Sequence, residues 1–585
     1  MSSAALYRSL LLCAIVVSVN SCAPRGAQNA ASAKKLKTIK DDWWEWFQRE
    51  NPENATQLGE YKYNDKLSDV SLAHVPQVRS DVSAFLARLH TIDAASLSEA
   101  DQLDQALLVR VLEDTAGGID LKTWEMPVDQ FNGIHIYLPQ IPTYAPFDSV
   151  KHYEDYIARL KQIPVSLDQA TDVMRQGMRD GLMPPAYLLE KTLPQCDDIV
   201  KSAGEANPFA TPVKKIPDSF AAADKKRLHD EVLAVIDTQV RPAYAKLRQF
   251  IAAEYAPKGR KDPGIWSLPD GDQRYRYAIR YQASSSKTPG EIHQLGLAQV
   301  ADIEAQIDAL GKKAGFKDGK TFQKATLKDP KYVAKSREQI LEAYRHYIEQ
   351  MEPKLPQLFG RLPKARVTVT SVPAFMEKDG STEYMSGTPD GSRAGQVWVD
   401  TYDPTHHNML EDEATAYHEG IPGHHMQISI AQELPLHPFH HALGFNAYVE
   451  GWALYAERVG KEVGFYQDPA SDMGRLQSEL FRAVRLVVDT GVHYKHWSRE
   501  QMVQFFEEHY GDAPQSEVDR YIAWPGQALG YKLGQLEILD LRQRAQTELG
   551  SKFDIKAFHD EVLGAGALPL ELLDARVTSW IASQK

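Results

Sequence analysis

Residues 416–428 read AYHEGIPGHHMQI: a His-Glu pair, a Pro-Gly interruption, then two consecutive histidines. Eight of the chain's 19 histidines fall between His406 and His441, so imidazole is concentrated around this stretch. Upstream, Asn408 is placed to cap a helix, with Glu411 at the capping-box position and Glu411, Asp412 and Glu413 bringing negative charge to its first turn. A helix carrying H-E-x-x-H sets two imidazoles at i and i+4, about 6 Å apart along the axis, within reach of one zinc. Here i+4 is Pro422, which binds no metal, and the next histidines are His424 and His425. In an unbroken helix i+7 lies about 10.5 Å along the axis, too far to share an ion, and i+6 points elsewhere. Pro422 clashes with the carbonyl of His418 and removes an N–H, while Gly420 and Gly423 tolerate a break. The stretch therefore reads as H-E-x-x-H with two or three residues inserted and a helix interrupted between Gly420 and His424. A histidine-rich helix end without metal is the alternative.

A second helix, AYVEGWALYAERVGKEVG, follows a short loop at 435–438 and has Asn446 as its expected cap. Glu450 stands in its first turn, 26 residues after His424. The run EGWALYAE resembles the N-E-G-F-A-x-Y-x-E segment of aminopeptidase N-like enzymes, in which the first Glu binds zinc. H-E-G-I-P-G-H-H-M-Q, Y-V-E-G-W-A-L-Y-A-E, V-D-T-G-V-H-Y-K-H-W-S and Y-I-A-W-P-G-Q-A-L-G-Y together resemble the bacterial domain-of-unknown-function family numbered 885. That family is similar to gluzincin metallopeptidases of the oligopeptidase and carboxypeptidase Taq kind, and the resemblance spans nearly all the chain after residue 40. It implies a zinc site of His418, Glu450 and one of His424 and His425. The Gly before the second His in H-E-x-G-H of oligopeptidase-like families favours His424. Glu419 would then polarise the zinc water and carry its proton to the leaving amine.

Composition agrees with a soluble globular protein: 585 residues, 43 % hydrophobic and 25 % charged. A net charge of −13, with no basic stripe, argues against nucleic acid as a partner. At the start, Arg8, the apolar run Leu10–Val19 and V-N-S-C ending at Cys22 read as a lipoprotein signal peptide over 1–22. The apolar run is too short to span a membrane. Ala23 after the lipidated Cys22 favours the periplasmic side of the outer membrane, with the lipid at Cys22 as the only membrane attachment. Residues 23–40, small and polar with several lysines, read as a flexible tether. After removal of Cys13 and lipidation of Cys22, Cys196 remains alone, so the mature chain has no disulfide.

From Asp41 to the C-terminus the pattern is helical and reads as one catalytic unit, with the metal site within 406–531. FNGIHIYLPQIPTY reads as extended, 203–218 and 257–274 as long loops, and Pro242 as a kink in a long helix. ARVTVTSV (365–372) and AGQVWVD (394–400) are the strand candidates. AGQVWVD or its neighbour is expected to hold substrate backbone by strand addition. Further on, Arg485, Asp489 and His493 follow at i, i+4, i+8 amid valines and leucines, which favours a buried polar network. Tyr521 and Tyr531 flank a Pro-Gly break, and QALGYKLGQLEI resembles the L-G-Y segment of carboxypeptidase Taq-like enzymes. His493 or Tyr531 is expected as oxyanion donor, with Arg482, Arg485 or Arg520, together with Tyr521, as a substrate carboxylate site.

The expected fold is mainly α: a two-lobed helical zincin-like metallopeptidase with a small β-sheet beside the cleft. The expected activity is zinc-dependent hydrolysis of short peptides. The alternatives are a zinc amidase acting on cell-wall or other small amides, and an inactive peptide-binding lipoprotein.

Overall fold

The computed structural model describes residues 25–373, 377 and 380–585. The signal peptide expected over 1–22, with Cys22, lies outside these residues. The protein is mainly helical with a single three-stranded sheet among the described residues. No described helix is long and apolar enough to cross a membrane.

The chain is already helical where a tether was expected. Helix α1 runs Arg25–Glu50 without a break. Leu36, Ile39 and Trp43 continue one apolar stripe at helical spacing and are buried. Lys40 adds ion pairs to Asp104 at 2.5 Å and Asp101 at 3.4 Å. The tether reading is therefore corrected for residues 25–40, and residues 23 and 24 lie outside the described residues. Small, alanine-rich sequence is strong helix former as much as linker, and the stripe had a surface to bury against. FNGIHIYLPQIPTY is likewise not extended. It forms three short turns, Ile134–Tyr137, Leu138–Gln140 and Ile141–Tyr144, with Pro139 and Pro142 in the first turns of the last two. At Pro242 the helical path persists, and a π-turn over Ile236–Val240 takes up the missing hydrogen bond.

One core of the molecule gathers α1, the helices around the His-rich stretch and the C-terminal helices. A second collects residues 128–256, built on the long helix Val150–Asp180. The sheet belongs to the first core. Strand β1 (Val367–Ser371) pairs in parallel with β3 (Gly395–Val399), and β2 (Glu383–Met385) pairs antiparallel with β3. The order β1-β3-β2 makes β3 the central strand. AGQVWVD therefore cannot take substrate by strand addition, since both its edges are paired, which leaves the outer edges of β1 and β2.

Candidate metal centre

Helix α2 (Asp412–Glu419) carries His418 and Glu419, and ends there. Asn408 caps the turn before it, accepting from Leu410 N at 3.1 Å, rather than the helix itself. Helix α3 (His424–Glu433) begins four residues later. The break predicted between Gly420 and His424 thus sits between two helices. Gly423 N donates to Tyr417 O and His425 N to Gly420 O, closing the turn. A Cβ on Gly423 would collide with the carbonyls of Tyr417 and His418, so this turn admits glycine alone. The turn is held from outside by the Trp452 indole N–H, which donates to Pro422 O at 2.9 Å.

Trp452 lies on helix α4 (Asn446–Glu462), which also carries Glu450. Asn446 does not cap it; its amide donates to Gln282 O and Gln527 O, tying the helix start to two neighbouring segments. Helix α5 (Leu529–Leu549) crosses α4 at Gly451 and Gly534, where a methyl group on Gly534 would strike the Ala447 carbonyl. That close approach brings Tyr531 over the site, its ring stacked on His418 with centroids 6.4 Å apart.

The result is a buried constellation. Glu450 Oε2 lies 3.3 Å from His418 Nε2 and 3.4 Å from His424 Nε2. Four ligands at about 2.0–2.1 Å around tetrahedral zinc stand about 3.3–3.4 Å apart, the same spacing. These contacts are too long for good N–H···O bonds, and Glu450 Oε2 is a buried oxygen with no hydrogen-bond partner. His418, Glu419 and His424 also bring one ligand-type atom each within 4.8 Å of one another. Glu419 stands slightly back, 3.9 Å from His418 Nε2. The donor set of two imidazoles and a carboxylate, with an unpartnered oxygen between them, fits zinc.

The carboxylates and imidazoles of the site are strongly coupled. Burial opposes charge on Glu450, yet His424 and His418 hold its carboxyl well below the usual range. Burial also works against an imidazolium at His418, but Glu450 and Glu457 lift it to about 9. Burial raises Glu419. Glu419, Glu450 and Glu457 thus surround His418, and a buried site of this composition keeps its charges only where they are paired.

Behind His418 runs a chain the sequence reading missed. Glu457 Oε1 accepts from His418 Nδ1 at 2.8 Å, and its other oxygen accepts from Ser478 Oγ at 2.7 Å. Arg482 donates to Ser478 and lies 3.6 Å from Glu457. This carboxylate fixes the tautomer that leaves Nε2 free toward the site. The signal was present: Glu457 follows Glu450 at i+7, on the same helix face.

Several expected site residues are committed elsewhere. His425 bonds through Nδ1 with the Tyr384 hydroxyl and donates from Nε2 to Ala365 O, so it anchors the sheet to α3 and is no ligand. His493 accepts from Ile265 N and donates to Tyr521 O, and burial pushes it down to about 3. With both nitrogens held by backbone, it is no oxyanion donor. Tyr521 and Arg485 are buried against each other and Glu517, and Arg520 pairs the same carboxylate. Arg482 supports Glu457. Arg485 and Arg520 thus share the carboxylate of Glu517, and Arg482 lies beside Glu457. Asp489, on the same helix Pro469–His493 as Arg485 and His493, accepts from Tyr275 Oη and Gly526 N.

Residues 52–577 match the family described as bacterial protein of unknown function, DUF885. The chain belongs to that family. A solved structure from Colwellia psychrerythraea, described as a candidate lipoprotein, is 29 % identical, with a TM-score of 0.88 over 95 % of this chain and 99 % of that one. A second, from Shewanella oneidensis and described as a candidate lipoprotein of unknown function, is 20 % identical with a TM-score of 0.68, covering 93 % and 99 %. That second likeness is one of fold alone. No functionally curated protein matches. The DUF885 segment contains His418, Glu419, His424, Glu450, Glu457 and Tyr531 together.

Proposed function

We propose that this DUF885 protein is a zinc-dependent peptidase with a two-lobed, zincin-like arrangement, exported as a lipoprotein and held on the periplasmic side of the outer membrane. The observation that carries the reading is the spacing of His418 Nε2, His424 Nε2 and Glu450 Oε2 beside a buried Glu419. The lipoprotein part rests on the V-N-S-C stretch and on how the two structural relatives are described.

His418, His424 and Glu450 would hold the ion. Zinc so bound supplies a Lewis acid for a carbonyl and lowers the pKa of water to about 7. Glu419 is the general base: it accepts a proton from the attacking water and delivers it to the departing nitrogen. Glu457 keeps His418 in the tautomer and orientation its role needs. Tyr531, fixed over His418 by the α4–α5 contact, is the group placed to donate a hydrogen bond to the developing oxyanion. The outer edge of β2 offers backbone groups to an extended substrate without demanding particular side chains.

A mixed-peptide digest followed by mass spectrometry, with and without chelator, tests this directly. Chelator-sensitive cleavage is expected, and Glu419→Gln should retain zinc while losing about 10²–10⁴ in turnover. Binding without cleavage would instead indicate an inactive peptide-binding lipoprotein, and cleavage confined to non-peptide or cell-wall amides an amidase.

A further inference from the structure

Strand β2 turns two faces to two environments. Tyr384 points to α3, where its hydroxyl meets His425, while Glu383 and Met385, one residue either side, point the opposite way. The register confirms it: Glu383 pairs with Trp398 across the strand, and both line a cavity of about 970 Å³. The far wall of that cavity comes from residues 124–144, including Trp124, Tyr137 and Tyr144. It is mostly aromatic and apolar, and among the described residues its acidic lining is Glu53 and Glu383. Glu53 is already engaged by Ser68 N and Oγ. Glu383 has no hydrogen-bond or ion-pair partner among the described residues.

A half-buried carboxylate without a partner is costly, and Glu419's charge adds to the cost at Glu383. Among the described residues no arginine or lysine lines this cavity. Aromatic faces around a single free carboxylate are the composition that takes an ammonium group, by ion pairing and by cation–π contact together. Of the arginines expected to meet a substrate carboxylate, Arg482 lies beside Glu457 while Arg485 and Arg520 share Glu517, and none of the three lines this cavity.

We propose that this cavity is the subsite for a positively charged amine of the substrate, with Glu383 as its counter-ion and Trp398 and Trp124 in its walls. The substrates are then short peptides carrying an α-ammonium or a basic side chain close to the bond that is cut. This deepens the peptidase reading and rests on it for cleavage, but binding can be measured apart.

The test uses zinc-loaded full-length Glu419→Gln protein and calorimetric titration with three peptides: tetraalanine amide with a free amino group, its N-acetyl form, and an N-acetyl form with one lysine. At least one ammonium peptide should bind about tenfold or more tightly than the neutral N-acetyl form, and the one that does identifies the source of the charge. Adding Glu383→Gln should erase the difference, while Glu383→Asp should keep part of it and guards against a folding artefact. Equal binding of all three, no binding of any, or a preference that survives Glu383→Gln overturns the inference. Ammonium-selective binding with no cleavage by the parent protein would leave the subsite standing and end the peptidase reading; cleavage without ammonium selectivity would do the reverse.

Discussion

Glu457→Gln separates a tuned metal centre from a merely well-packed one. The substitution keeps volume and one acceptor oxygen for His418 Nδ1, 2.8 Å away, but removes the charge. The side chain is 2 % exposed, so little solvent screens that loss. Carboxylates in this position behind a zinc-bound histidine contribute about 10–100-fold in metal affinity, or about 1.4–2.7 kcal/mol. Because the amide still accepts a hydrogen bond, the Gln variant belongs near about tenfold. Glu457→Ala also strands Ser478 and Arg482, and belongs near about a hundredfold with a lower melting temperature. Competition against a chromophoric chelator at fixed pH reads both. Parent-like zinc affinity in Glu457→Gln, with only its thermal midpoint lowered, would refute the argument and reduce Glu457 to a structural role.

Histidine substitutions should differ in kind. His424→Ala is expected to abolish stoichiometric zinc in elemental analysis, whereas His425→Ala keeps the metal and loosens the Tyr384 and Ala365 contacts, read as faster hydrogen exchange in the sheet. Leu36→Ala should cost about 2–5 kcal/mol in urea unfolding, as a buried leucine does, while a tether residue would cost nothing measurable. Asp489 is held up at about 7 by burial, against about 3.9 unfolded. Its folded pKa is raised, so the unfolded state releases this proton first, and stability falls as pH rises from about 4 to about 7. Asp489→Asn should flatten that part of the stability profile, and an unchanged slope would remove Asp489 as its source.

The helix break was legible because its causes are local: Pro422 and the flanking glycines act on their own backbone. Glu450 was legible through chain spacing and resemblance. The identity of the second histidine was not, because choosing between His424 and His425 depends on where α3 starts after the turn. The i, i+4, i+8 pattern at Arg485, Asp489 and His493 correctly announced a buried network. Periodicity says which residues share a face, however, and not which neighbour faces them; here it is the Ile265 and Tyr521 backbone instead of a cleft. Strand β2 escaped notice because three residues carry no alternation to detect, and with it went Glu383 and Tyr384. In 25–40 composition misled, since the buried stripe of α1 hides among alanines and lysines.

Helix α4 carries Glu450, the proposed ligand, with the clasp Trp452 and the buttress Glu457 on a single rigid rod. When that rod shifts, all three travel together, so the errors they introduce are correlated instead of independent. Thermal displacement of the rod leaves their mutual spacing intact and moves the Pro422 turn along with it. A change in chain length has the opposite character. One residue inserted between Trp452 and Glu457 turns everything beyond it by about 100° and slides it about 1.5 Å, pulling Glu457 away from His418, whose Nδ1 it holds. The segment should therefore accept substitutions on its outer face, at Arg458 or Lys461, far more readily than any insertion or deletion.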